Sequence, residues 1–548
     1  MRVFQNLALA FAVTAATLAA QNPAFTGIVN AASSIPPGFP SYGIAQGSVF
    51  VIYGSNMGPA GIVGASALPL PTTAGLAGTT ITVTVGGTTL PVPILYTWQP
   101  QVAAVMPSTI PAGTGTLTLT YNGHSGSTPI TVTQSAFGIS TVASGSGSGP
   151  AVVTFGTNQT KLVTATSSAA PGDILILWGT GLGPITTSDA AGATAGNIGP
   201  MPQIFVGGIA SPSIAYWGRS PGSVGLDQIV FTVPQGVSLG CNVSIIVETV
   251  NGTTPIVSNG PTIAIEATDG ATCSDTTQDV PTSFLSKATA TAIAVQLKQS
   301  TSVNFTSTST TTTTTAQAGV DLLRFSQAQL TSQFQTLNSE PTFGTCLTGT
   351  APGNSNNSTP TATYLNGGSS VTLTTPSASP IVLTAQGTGI YGAANPPTSI
   401  ASGEWSFSNG AGGPDIGPLA FNFPVPQPVT WTNGSALFSG PPIDRTQPLT
   451  ITWTGGDANG YVDIVGQAQT GPAGAPTYLV YFDCAAPTAA GQFKIPPSVL
   501  LAMPTGASAF ASIKVSTDAL PFTLGTLTGI DAALNLTAFQ TNGPVIFK

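Results

Sequence analysis

Gly47-Ser-Val-Phe-Val-Ile-Tyr-Gly-Ser-Asn-Met-Gly-Pro59 returns further along the chain as Gly172-Asp-Ile-Leu-Ile-Leu-Trp-Gly-Thr-Gly-Leu-Gly-Pro184. The spacing is roughly 125 residues, the size of one β-sandwich domain. Each copy opens at a turn, runs through a short apolar strand and closes in a Gly-rich corner. The correspondence continues in order. Ile81-Thr-Val-Thr-Val-Gly-Gly87 matches Gln203-Ile-Phe-Val-Gly-Gly208, and Ile94-Leu-Tyr96 matches Ile214-Ala-Tyr216. Val102-Ala-Ala-Val-Met-Pro107 then matches Gln228-Ile-Val-Phe-Thr-Val-Pro234, and Gly115 to Gly123 matches Val243 to Gly252. The last pair ends in Asn-Gly in both copies and the second in Gly-Gly, dipeptides that supply the positive φ of tight hairpin turns. Alternating strands with turns every eight to twelve residues predict an all-β chain of tandem immunoglobulin-like β-sandwiches.

The strand followed by a Gly-rich corner and Gly-Pro resembles the IPT/TIG class of immunoglobulin-like domains. The opening Asn30-Ala-Ala-Ser33, the run Gly47 to Pro59 and Tyr96-Thr-Trp-Gln-Pro-Gln-Val-Ala-Ala-Val-Met-Pro107 resemble large secreted proteins of soil bacteria. In the second copy the corresponding segment is the variant Ser220 to Gln228. Trp453-Thr-Gly-Gly-Asp-Ala-Asn-Gly-Tyr461 and Cys484 to Pro497 resemble segments that end the same proteins. The resemblance implies fold and export, and no established activity.

Composition bounds the function. Charged residues make up 5% of the 548 residues, against about 25% in an average soluble protein. Ten Lys and Arg stand against eighteen Asp and Glu. Nucleic-acid binding needs clustered cations, and none are clustered here. The first twenty residues read as a cleavable signal: Arg2, the apolar run Leu7 to Val13, then small residues at Thr17 to Ala20. The mature chain is therefore expected outside the cell or on its outer surface, with no integral membrane segment. After that signal no apolar stretch reaches about 18 residues.

Four Cys in an exported chain favour two disulfides, in any of three connectivities. Their spacing suggests Cys241 with Cys273 and Cys346 with Cys484. On the chain-entropy model these would contribute roughly 3–4 and about 5 kcal/mol. The expected organisation is a signal at 1–20, sandwiches at 21–137 and 138–275, and a Ser/Thr-rich linker or edge hairpin at 276–320. A β-rich domain with a short helix follows at 321–425, then a C-terminal sandwich at 426–548. The helix is expected over Phe325 to Leu337, with Ser326 as N-cap and Leu330, Phe334 and Leu337 on one face.

Chemistry is sparse. The single His, His124, stands beside Ser125 at a hairpin tip, which supplies neither an orienting group nor a fixed nucleophile. The glutamates Glu248, Glu266, Glu340 and Glu404 offer no pair that sequence alone can place. No catalytic residue and no cofactor are assigned, and the chain reads as a non-enzyme. Asp457, Asn459 and Asp463 mimic the start of a calcium loop, although Asp and Asn beside Gly are also what turns require. Tyr96 and Trp98, matched with Tyr216 and Trp217, are the candidate binding residues, as aromatics where a strand gives way to a loop. An exposed row of Trp98, Trp217, Trp405 and Trp431 would favour a glycan.

The leading expectation is a secreted or surface-associated binding and scaffolding protein, contacting an extracellular glycan, matrix or surface protein. The alternatives are a carbohydrate-active enzyme with accessory sandwiches and a structural protein that assembles through its strand edges.

Overall fold

The computed structural model describes residues 21–548 except 144–146, 275–283, 285–286, 306–309, 331–339, 353–361, 377–378, 471–477, 507–510, 520–526 and 528. The signal at 1–20 lies outside the described residues.

The two copies of the repeat form two sandwiches. In the first, Ala24–Asn30, Val49–Ser55, Gln101–Val105, Ile94–Trp98 and Val63–Gly64 make one sheet, in that order. Ile44–Ala45, His124–Thr133, Gly113–Tyr121, Thr79–Val85 and Thr88–Pro91 make the other. Thr79–Val85 alternates buried and half-buried along its whole length, as a strand with one face on a core must. Its inward residues Ile81 and Val83 meet Phe50, Ile52, Val102 and Leu117 between the sheets. The second sandwich repeats the plan. Val153–Phe155, Ile174–Thr180, Asp227–Thr232 and Ile214–Arg219 face Gln203–Val206, Gly240–Asn251 and Thr254–Val257 across a core of Leu175, Leu177, Ile229, Phe231 and Ile245.

The turn chemistry follows the sequence. Asn122 and Gly123 both take positive φ (48° and 84°), linking two strands that pair from Tyr121↔His124 onward. The glycine that interrupts each signature strand has a different reason. A Cβ on Gly54 would lie 1.9 Å from the Ala24 carbonyl oxygen, and one on Gly179 2.2 Å from that of Gly138. Each sandwich brings a neighbouring strand against that bare backbone.

After the second sandwich one sheet runs on through the remaining chain. Its order is Thr345–Pro352, Tyr478–Pro487, Tyr461–Thr470, Ala511–Asp518, Ala532–Val545, Thr289–Phe305, Thr310–Ser326, Ile390–Ala393, Ile381–Gly387, Ser370–Thr374, Gly403–Ser408 and Ala420–Val425. One core lies at each end. Phe407, Trp405, Phe423, Leu373 and Ile293 fill one. Ile451, Trp453, Val462, Phe482 and Val515 fill the other, under the small sheet Val429–Trp431, Leu449–Gly455 and Gln492–Ile495.

Here the structure departs from the expected linker or edge hairpin at 276–320. The segment is a hairpin, but its first strand also pairs in parallel with the C-terminal strand, from Ala292↔Ala532 to Ser302↔Asn542. Its second strand carries Ile390–Ala393 on its outer side. Threonine is polar but β-branched, so a Thr-rich run is a competent strand, with Ala and Val supplying the buried alternate positions. The same pairing joins 321–425 to 426–548 through one sheet, where separate domains were expected.

Both disulfides form with the suggested partners, Cys241 with Cys273 and Cys346 with Cys484. Ser326 does cap a helix. The Gln329 N–H donates to its Oγ (3.4 Å), and the Gln329 side-chain oxygen accepts from the Ser326 N–H (2.7 Å), a capping box. That helix starts at 327–330, and the positions of Phe334 and Leu337 lie outside the described residues. Further short helices occur at Gly434–Ser439 and Pro497–Leu500.

Candidate functional site

Tyr96 and Tyr216 are structural equivalents, each just past a β-bulge, between Ile94 and Tyr96 in one copy and Ile214 and Tyr216 in the other. Both are half-buried. The Tyr96 hydroxyl accepts from the Gln101 amide, and burial raises its pKa. The Tyr216 hydroxyl donates to the Arg219 carbonyl (2.6 Å) and accepts from the Gly196 N–H (3.2 Å). Each tyrosine thus fixes a loop at the sandwich end.

The tryptophans are not equivalent. With the tyrosines aligned, Trp217 corresponds to Thr97, and both face their cores. Trp217 packs against the second core, and the Thr97 hydroxyl bonds that of buried Thr79 (2.8 Å). Trp98 is one residue on and so lies on the opposite face, with its Nε1 buried and without an acceptor. Beside it the two-residue edge strand Val63–Gly64 pairs with Thr97 and Tyr96, and Ile62 is 64% exposed. Trp405 is 1% exposed, inside a core, and Trp431 stacks edge-on against Phe438 at 4.9 Å. The four tryptophans therefore form no exposed row.

The polar candidates also separate. His124 opens a strand directly after the Asn122-Gly123 turn, and the Ser125 hydroxyl bonds Thr120 across the hairpin (2.7 Å). Asp457 and Asn459 are exposed in a turn, where the Asp457 carboxylate accepts from the Gln427 N–H (3.0 Å). Asp463 is buried on the following strand, so the three do not act as one calcium loop.

Two polar centres were not foreseen. The first joins the repeated sandwiches. Arg219, 1% exposed, pairs with fully buried Asp227 and also donates to the Gly47 carbonyl of the other sandwich. Asp227 accepts from the N–H groups of Gly181 (2.7 Å) and Leu182 (2.9 Å). Around this pair Asp189 binds the N–H and hydroxyl of Ser108, both at 2.6 Å, and Val49 N–H donates to Thr180 Oγ1 (2.9 Å). Asn30 donates to the Ala136 and Thr180 carbonyls (3.1 and 3.2 Å). Leu70, Val105 and Ala190 pack beside them, with Val49 and Val224. Polar groups buried without water at such a junction must be paired, and these are, by partners from both sandwiches.

The second centre lies on the last sheet. Val462 and Ile464 point into the core, so Asp463 between them points away from it. Strand pairing puts Asp483 and Asp518 diagonally beside Asp463 on the same face. That face would ordinarily be wet, but the segment Glu340 to Phe343 crosses it, with Phe343 against the Tyr461 ring at 5.7 Å. Ligand atoms of Glu340, Asp463 and Asp483 lie within 4.8 Å of one another. Lys514 pairs with Asp463 Oδ2 at 3.0 Å. Asp463 Oδ1 and Asp483 Oδ1 are buried without a hydrogen-bond donor. Burial, then the neighbouring carboxylates, pushes Glu340 up to about 8 and Asp518 up to about 6. The same causes raise Asp483 well above the carboxylate range. For Lys514, burial lowers the pKa, but Asp463 and Asp518 outweigh it and the net shift is upward.

No family model matches the chain, and no curated protein does. Among solved structures it is similar to the I9–I11 tandem of titin, at 5% identity and a TM-score of 0.12, covering 68% of this chain and 92% of that one. Immunoglobulin domains 1–4 of Sidekick-1 match at 9% identity and 0.12, covering 90% and 95%. The N-terminal eight immunoglobulin domains of Down Syndrome Cell Adhesion Molecule match at 9% and 0.12, covering 92% and 46%. With TM-scores this low, the assignment of tandem immunoglobulin-like sandwiches rests on the strand pairing and cores described above. Among the described residues no helix is long and apolar enough to cross a membrane.

Proposed function

We propose that this chain is a secreted or cell-surface scaffold that holds binding surfaces at fixed spacing for an extracellular glycan, matrix or surface protein, without catalysis of its own. The observation that carries the reading is the junction of the two repeated sandwiches. Beads on a flexible string would need no buried Arg219–Asp227 pair reaching Gly47, and no Asn30 spanning to Ala136 and Thr180. Burying such groups is costly unless the partners stay in place, so the junction favours one relative orientation. Two disulfides suit an oxidising compartment. Tyr96 and Trp98, beside the exposed Ile62 and Val63, are the surface we assign to partner contact. The fold and disulfides also suit the IPT/TIG-like secreted proteins that the sequence resembles.

The test is binding of the purified mature chain to a glycan array, to insoluble polysaccharides and to cell surfaces. Retention that Tyr96→Ala and Trp98→Ala weaken supports the reading. Blank results on all three surfaces sink it, and release of reducing sugar would replace it with the enzymatic alternative.

A further inference from the structure

We propose that Glu340, Asp463 and Asp483 form a binding site for one calcium ion, which clamps the crossing segment Glu340–Phe343 onto the last sheet. Three observations point there. Asp463 is 4% exposed, it offers a carboxylate oxygen to the cluster as Asp483 does, and the Oδ1 of each is buried with no hydrogen-bond donor. An acceptor oxygen stripped of water and donor alike is costly, and two of them side by side call for a cation. Lys514 does not meet that demand, because it sits on the other oxygen of Asp463, Oδ2.

The second observation is charge. Ionised, as ligands to a metal must be, Glu340, Asp463, Asp483 and Asp518 against Lys514 carry a formal −3 in a largely buried place, and a divalent ion reduces it to −1. The third is size. Two oxygens that each lie about 2.4 Å from one calcium ion can be at most about 4.8 Å apart, and the three ligand atoms meet that limit. Purely oxygen donors select a hard cation over zinc or copper. Magnesium, at roughly 2.1 Å with a demand for octahedral order, fits an irregular trio of carboxylates less well.

The ligands come from three places in the chain: Glu340 from the crossing segment, Asp463 from Tyr461–Thr470 and Asp483 from Tyr478–Pro487. Ion binding would therefore tie the residues before Thr345–Pro352 to strands more than a hundred residues away. Extracellular modules bind calcium at roughly 0.1–1 mM, the range to search.

The experiment uses the full mature chain stripped with EDTA. Calcium chloride is titrated calorimetrically, and Tm is read in EDTA, 5 mM calcium and 5 mM magnesium. The expected result is one calcium per chain, a Tm rise of several degrees in calcium and a smaller one in magnesium. Asp483→Asn should weaken calcium binding at least tenfold, yet keep a Tm in EDTA close to that of the unmutated chain, because the amide keeps the size and shape of the carboxyl group. Glu340→Gln, on the half-buried crossing segment, repeats the test if Asp483→Asn does not fold. The proposal is overturned if calcium up to 5 mM neither binds nor moves Tm, if the variants respond as the unmutated chain does, or if magnesium binds more tightly.

Discussion

Replacing Asp227 by Ala strips Arg219 of the carboxylate it pairs with while leaving the guanidinium sealed inside the protein at 1% exposure. Removing one partner of a buried ion pair costs about 3–5 kcal/mol, because the remaining charge is left uncompensated. The two sides are not symmetric. Without Arg219, Asp227 keeps the N–H groups of Gly181 and Leu182. Without Asp227, Arg219 keeps the carbonyls of Gly47 and Gly183 and the nearby charge of Asp189, which is shared with Ser108. Asp227→Ala should therefore sit near the top of that range and Arg219→Ala near its foot. A domain of this size shifts by roughly 3–4 °C per kcal/mol, so Asp227→Ala should lower the sandwich transition by about 12–20 °C. Scanning calorimetry of the full chain reads it, since the transitions of several units need not coincide. The double variant Arg219→Met/Asp227→Asn should recover part of the loss, because no buried charge is left over. The reasoning is refuted if Asp227→Ala costs less than about 1 kcal/mol, or if the double variant is worse than both singles combined.

Other perturbations test other parts of the structure. Burial, then the facing Asp463 and Asp518, with Lys514 opposing, lifts Glu340 from 4.5 to about 8, so the folded state holds a proton that the unfolded chain releases. In EDTA that contribution, on the order of a few kcal/mol, is present below about pH 4.5 and lost as pH rises through about 8. Tm should fall across this window and Glu340→Gln should flatten the fall, whereas an unchanged profile in the variant contradicts the burial argument. A Cβ on Gly466 would lie 2.1 Å from the Phe482 ring, which is fully buried. Gly466→Ala should cost about 1–3 kcal/mol by overpacking, read as a shifted denaturant midpoint. Cys346→Ser/Cys484→Ser opens a link between residues 138 apart in sequence and should cost roughly 2–5 kcal/mol. An unmoved midpoint would show that sheet pairing alone holds those strands.

The repeated sandwiches were legible because their signals are local. Alternation in Thr79–Val85 and the Asn122-Gly123 turn each act within a few residues, and although the glycines at 54 and 179 answer to the distant backbone of Ala24 and Gly138, their place in the repeated strand marks them in the sequence. The hairpin Thr289–Phe305 with Thr310–Ser326 reads in sequence as linker or edge because its Thr run looks like low complexity, while the strands that flank it arrive from residues 390 and 532 onward. The Trp98–Trp217 match failed by one position. Tyr96 and Tyr216 set the register, and side chains one residue apart on a strand point to opposite faces. Asp463 stands in the sequence near Asp457 and Asn459, which are not its neighbours in the fold. Its partners Asp483 and Asp518 each sit at an outward alternate position of an apolar strand, which composition could flag. Only strand order puts them side by side, and only the crossing of Glu340 buries them. Arg219 and Asp227 lie eight residues apart in sequence, but the carbonyl that makes the pair a junction belongs to Gly47.

Spin labels at Thr89 and Thr160, both exposed and one in each repeated sandwich, measure the junction directly through their dipolar coupling. A rigid scaffold gives a single narrow distance distribution that broadens in Asp227→Ala. A broad distribution in the unmutated chain, unaltered by that substitution, would contradict it.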